Sequence, residues 1–221
     1  MTKRIALTVT ILAALAAAVP AFAGITVYTN AFKSKSDYHA ITKQAGKKKK
    51  CQRNWRKKAA LGVSVNGGKQ TCELKTPVEG DAAQPDLIVQ VVAKVTEKTE
   101  KAARKGTFVG VMVRSSRKDG YTFRVLPKTR KWELVEDKVV LEKGKDKAVK
   151  GIKKKNVLEI RAKKDTILGK VNGKAVVSYK DPAPEDVKGT GTGLSYGIKQ
   201  KVKKKQAVAF FDNLKVQVPN P

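Results

Sequence analysis

TILGKVNGKAVVSY, residues 166–179, is the stretch that decides the fold. Two short apolar runs, Ile167 to Val171 and Lys174 to Val177, flank Asn172-Gly173. A two-residue type I′ turn needs φ > 0 at both central positions, and Asn-Gly meets that need at little steric cost. The stretch is therefore an antiparallel hairpin, and its runs are too short for amphipathic helices.

The same grammar extends in both directions. Short alternating runs punctuated by Gly, Pro, Lys and Asp recur at Ile25 to Phe32, Leu61 to Val65, Thr71 to Lys75, Asp86 to Val95, Thr107 to Ser115, Tyr121 to Leu126 and Lys131 to Val135. They continue at Val157 to Ala162, Thr166 to Val171, Lys174 to Tyr179, Leu194 to Ile198 and Ala207 to Val218. A dozen such runs predict an all-β fold of two packed antiparallel sheets. Asn66-Gly67-Gly68 reads as a second hairpin loop, and Lys118-Asp119-Gly120 as a turn. Period-two alternation puts Tyr121, Phe123 and Val125 toward the core. In the last run Val208, Phe210, Leu214, Val216 and Val218 share an inward parity with Asp212, so a bulge at Asp212-Asn213 is expected to turn the carboxylate away. Residues 33–58 are polar and read as a long basic loop. Glu97 to Lys105 stays undecided between a helical turn and a hairpin connection.

At the N-terminus, Lys3 and Arg4 precede the apolar run Ile5 to Val19, which closes on Pro20 and Ala21-Phe22-Ala23. This is the layout of a secretory signal peptide, residues 1–23, leaving a β-sandwich domain at 24–221. The run is shorter than the roughly 20 residues of a spanning helix, and no second one follows, so no transmembrane segment is expected after cleavage. An oxidising destination makes a Cys51–Cys72 disulfide the economical state for the two cysteines. It would close a loop worth about 3 kcal/mol. With one histidine, His39, and no Cys-x-x-Cys pair, a zinc site is not expected.

Charge points to a class of partner. The chain carries 48 Lys and Arg against 19 Asp and Glu, a net +29, and only Lys3 and Arg4 of these cations lie in the leader. Such a body concentrates at anionic polymers in a salt-dependent way. Lysine dominates, which favours diffuse attraction over the planar bidentate recognition that arginine provides. Three clusters stand out: Lys47, Lys48, Lys49 and Lys50 with Arg53; Lys153, Lys154 and Lys155; and Lys203, Lys204 and Lys205. Gathered at one end of a sandwich they would form an anion-binding rim; scattered, they are solvated turns. Trp55 stands among them, able to stack on a sugar or base or to cover the disulfide. Aromatics make up 6% of the chain and fall mostly in strands, so sequence-specific nucleic-acid recognition is not expected.

Further patterns carry a resemblance. Val109-Gly110-Val111-Met112-Val113-Arg114, Gly120-Tyr121-Thr122-Phe123-Arg124-Val125, Lys131-Trp132-Glu133-Leu134, Asn156 to Ile160, Val171-Asn172-Gly173-Lys174, Gly191 to Leu194 and Phe211-Asp212-Asn213-Leu214-Lys215-Val216 follow one another in order. This resembles the concanavalin A-like superfamily, including laminin-G-like domains and secreted bacterial 3-keto-disaccharide hydrolases. The resemblance covers about half the chain after the leader. It implies a jelly-roll sandwich with its last strand beside its first, a concave face that binds sugars and a rim that holds structural calcium. Asp212, Asn213 and Asn30 are the candidate calcium ligands, although one carboxylate is a thin donor set. Glycosidases of the superfamily's glucanase branch need two carboxylates about 5 Å apart. No strand offers that pair, because Glu133 and Glu136 fall on opposite faces. No cofactor and no catalytic residue are assigned. The expectation is a secreted, non-catalytic binding protein for anionic envelope polymers or glycans; a carbohydrate-active hydrolase or lyase, and a purely structural or accessory domain, are the alternatives.

Overall fold

The computed structural model describes residues 24–42, 51–56, 60–67, 69–116, 120–187, 189–200 and 206–220. Its strands are β1 (Gly24–Asn30), β2 (Cys51–Arg56), β3 (Ala60–Asn66), β4 (Gln70–Lys75), β5 (Ile88–Val95), β6 (Thr107–Ser115) and β7 (Tyr121–Leu126). They continue with β8 (Lys131–Glu136), β9 (Val139–Lys145), β10 (Asn156–Lys163), β11 (Thr166–Val171), β12 (Lys174–Lys180), β13 (Gly191–Ile198) and β14 (Gln206–Pro219). One helix, α1 (Lys35–Thr42), joins them.

Two antiparallel sheets pack face to face. The larger has the order β12-β11-β10-β5-β14-β3-β2, with β1 also on β14; the smaller has the order β4-β13-β6-β7-β8-β9. Inward residues of both sheets form one core, with Val89, Val91, Val109, Val111, Phe123, Leu158 and Leu194 fully buried. All twelve expected strands are present. Asn172 (φ 50°) and Gly173 (φ 84°) make the hairpin that joins β11 to β12. The last strand pairs with the first, Asn30 opposite Leu214.

The last strand corrects the expected facing. Ala207, Ala209 and Phe211 enter the core, while Val208 and Phe210 turn outward. The ladder to β5 shifts between Asp212 and Lys215, with Asn213 at φ 49°, and beyond this bulge Leu214 and Val216 point inward again. The extra residue resets the alternation. It sits where β3 hands over to β1 along the same edge of β14, since β3 pairs through Phe211 and β1 begins at Leu214.

Two further expectations are corrected. Residues 33–58 are not a continuous loop, because they contain α1 and β2. Ser34 Oγ accepts the Asp37 amide while Asp37 Oδ2 accepts the amides of Lys33 and Ser34, a reciprocal cap that starts the helix. The Asn66–Gly68 segment, in turn, does not join neighbours of one sheet. β3 lies in the larger sheet and β4 in the smaller, so the turn crosses between layers. The Cys51–Cys72 disulfide then ties edge strand β2 to edge strand β4, with Cα atoms 5.9 Å apart. Glu97 to Lys105, left undecided, crosses between the sheets and contains a single 3₁₀ turn at Lys101–Ala103.

Candidate functional site

Strand direction sorts the loops into two ends. At one end lie 67–69, 96–106, 127–130, 146–155, 172–173 and 199–200; at the other lie 76–87, 116, 120, 137–138, 164–165, 181–187, 189–190 and 220. Among the described residues their charges are opposite. The described residues of the first set hold thirteen Lys or Arg against three Asp or Glu, and those of the second hold two against eight. Exposed like charges on neighbouring loops raise one continuous field, so one end of the sandwich is an anion-attracting cap.

The cap is held in shape by hydrogen bonds beneath it. Asn156 Oδ1 accepts the Lys150 amide and Asn156 Nδ2 donates to the Lys150 carbonyl, closing the 150–155 turn. Asn172 donates to the Ala148 carbonyl at 2.6 Å and to Asn156 Oδ1, and accepts the Val157 amide. The Lys153 amide reaches the Val95 carbonyl at 2.9 Å. On the facing loop, Arg104 folds back onto the carbonyls of Thr99 and Glu97, and Thr99 Oγ1 is clamped to the Val208 backbone.

The three carboxylates of the cap are committed locally. Glu97 pairs with Lys153, Glu100 accepts the Gln206 amide, and Asp146 takes Lys174 and the Ala148 amide. The hydrogen bond from Lys174, helped by the Ala148 amide, holds the Asp146 carboxyl below its ordinary range. These acids orient loops and leave the cap's positive excess in place.

Of the expected cations, Lys153, Lys154 and Lys155 are exposed on this cap. Lys155 also lies 3.8 Å from Asp212. Lys47–Lys50 and Lys203–Lys205 lie outside the described residues; the chain leaves the first at Cys51 and enters and leaves the second at Gln200 and Gln206, all at this end. Arg53 lies apart from the loops of the cap. It is a half-buried edge residue of β2, and its charge acts on Tyr196, whose phenol burial pushes up to about 12 against that charge. The Trp55 side chain lies outside what is described; its backbone pairs with Leu61.

Register sets Asn30 opposite Leu214, beside the other calcium candidates, but its side chain is engaged elsewhere. The Asn30 amide donates to Tyr28 Oη and the Asp37 carbonyl and accepts the Phe32 amide, so it fastens the exit from β1. Asp212 faces an ammonium, and Asn213 is exposed on the bulge. Among the described residues no three His, Cys, Asp or Glu side chains come together. One carboxylate already facing Lys155 does not fit a hard divalent cation.

The face of the smaller sheet opposite the core was not assigned from alternation, and it is unusual. Phe108, Met112, Arg124, Glu133 and Ser195 point away from the core yet are buried. Arg124 lies 4.7 Å over the Phe108 ring and pairs with Glu133 at 2.8 Å, and Lys199 reaches the other carboxylate oxygen. Burial would raise the Glu133 carboxyl, but Lys199 and Arg124 more than offset it and hold it below the ordinary range. Register aligns Glu73, Ser195, Gly110, Arg124, Glu133 and Lys143 in one row across the sheet. The two carboxylates of that row are four strand spacings apart, about 19 Å. Glycosidase pairs stand about 5–10 Å apart.

No family model matches the sequence, and no curated protein matches it. Among solved structures, the chain is similar to a protein of unknown function with a galectin-like fold from Bacillus subtilis, with a TM-score of 0.64 at 14% identity, covering 88% of this chain and 96% of that one. It is also similar to Bacillus licheniformis β-glucanase, with a TM-score of 0.56 at 8% identity over 88% of this chain and 98% of that one. A carbohydrate-binding module from Bacillus subtilis follows with 0.52 at 17%, over 71% and 86%. At these identities the likeness is one of fold: a concanavalin A-like jelly roll.

Proposed function

We propose that the protein is an exported binding module that grips anionic polysaccharide or other anionic polymer of the cell envelope through its basic end. The observation that carries this is the sorting of charge among the described residues, thirteen cations to three anions on one set of loops and two to eight on the other. Lysine-rich loops held by asparagine hydrogen bonds present fixed backbones and mobile ammonium groups, which suits a polymer with repeated charge and irregular conformation. The leader-like residues 1–23 and the disulfide agree with an extracytoplasmic site of action. Sugar-binding and sugar-cleaving proteins that share the fold make a glycan the first polymer to test.

The test is retention on isolated cell-wall sacculi, with and without their anionic polymers, across a salt gradient. Retention on the anionic form that disappears with salt is expected, because the Debye length shrinks from about 10 Å at 0.1 M to about 3 Å at 1 M. Replacing Lys153, Lys154 and Lys155 by serine should lower the slope of log K against log salt by about one per lysine. Salt-resistant retention on a neutral glycan would overturn the proposal.

A second function, glycan cleavage, rests on the recessed Arg124–Glu133–Lys199 cluster. Turnover abolished by Glu133→Gln would establish it. A single carboxylate held by two cations is suited to ordering the face, and a hydrolase would need its second acid from outside this row.

A further inference from the structure

On the larger sheet, at the far end from the cap, a groove of about 520 Å³ opens between β10, the 164–165 turn, β11 and β12. Beside it the β11–β12 register shifts between Gly169 and Lys170, which gives edge strand β12 one extra residue. Leu168, Ala175 and Val176 supply an apolar floor, and Arg161, Lys163 and Lys164 stand around it. Asp165 also lines it, and this carboxylate is engaged by Lys180 at 3.5 Å and by the Thr166 hydroxyl.

Arg161 is the informative residue. Its Nε is bound to Glu159 and its Nη1 is enclosed by protein, so a group in the groove meets the guanidinium through its remaining, partly exposed edge. A guanidinium held in place and largely withdrawn from water binds an oxyanion more strongly than a solvated one. Glu159 is shared among Arg161, Gln90 and Lys170, so the cations beside the groove, Arg161, Lys163, Lys164 and Lys170, outnumber it.

We propose that this groove is a second subsite, for a sugar unit that bears an oxyanion: its carboxylate or sulfate on Arg161, and the apolar side of its ring against Leu168, Ala175 and Val176. This deepens the binding-module proposal and rests on it for the polymeric nature of the ligand. Arg161 is six residues along β10 from Lys155, so the groove lies about 20 Å from the cap, within the span of one short oligosaccharide. Two weak sites on one polymer add as avidity does, by effective concentration.

The experiment is an NMR titration of residues 24–221 with trigalacturonate, with a sulfated trisaccharide and with neutral maltotriose. Trigalacturonate or the sulfated sugar, whichever is the native chemistry, is expected to shift the amides of residues 166–168 and 175–178, with maltotriose silent. Arg161→Gln should weaken that binding about tenfold, the loss of a charged hydrogen bond. Ala175→Phe, a change at an exposed position, should block the groove without touching the core. Equal shifts from maltotriose, no shifts from either anionic sugar, or unchanged binding by both variants would overturn the subsite. The two proposals fail separately. Loss of sacculus retention with the groove shifts intact removes the cap; intact salt-dependent retention without groove shifts removes the subsite.

Discussion

Glu133 shows how a single residue sets the character of a face. Its carboxylate joins Arg124 and Lys199, and the buried Arg124 has the Phe108 ring on its other side. Removing one partner of a buried pair leaves the other charge without compensation, so Glu133→Ala should cost about 3 kcal/mol in urea denaturation at pH 7. The pH dependence has a definite sign. Glu133 titrates lower in the folded chain than its ordinary 4.5, so its contribution is complete above pH 4.5 and is lost as pH falls through the lower folded value. The stability gap between wild type and variant should narrow on acidification below pH 4.5. Asn172 is a second such residue. Its side chain ties three segments while its backbone holds φ 50°, and Asn172→Ala should cost about 2 kcal/mol, read in the same assay.

Elements were legible where alternation met burial. β7 and β11 begin and end where the apolar pattern says, because one face of each is packed. β9 was missed for the opposite reason: as an edge strand with most side chains in water, Val139–Lys145 gathers its apolar residues at Val139 to Leu141 and shows no alternation to read. β2 is likewise an edge strand, with polar or charged residues at four of its six positions. The helix left a readable mark in Ser34-x-x-Asp37, the spacing of a capping box. The bulge at Asp212-Asn213 was foreseen from a carboxylate on an inward parity, but which half of β14 faced inward depended on where the extra residue fell. Whether Asn66–Gly68 joins neighbours or crosses layers is a question of pairing partners, and local sequence holds no answer. The disulfide belongs to this scale because it joins two sheet edges. Reduction should lower stability by about 3 kcal/mol, measured by chemical denaturation with and without dithiothreitol.

The cap becomes visible with the whole molecule. Lysine-rich runs were plain in the sequence; that the described cationic loops share one end depends on crossovers that return β5, β9 and β13 to it, information that no stretch of residues carries. The groove at Arg161 was missed because its cations look like ordinary strand-edge residues until folding sets a space beside them. Charge changes at the two ends should have unlike effects. Neutralising Glu185 and Asp186 should leave the salt slope of sacculus binding unchanged, whereas neutralising the lysines at 153–155 should lower it. Since the described loops at the two ends carry opposite signs, a molecule seated on a polyanion by its basic loops turns the carboxylates of its other described loops to the solvent. The chain as a whole is strongly cationic, so each molecule that settles lowers the charge of the polymer beneath it, and coating is expected to limit itself as the attraction that drives it is used up.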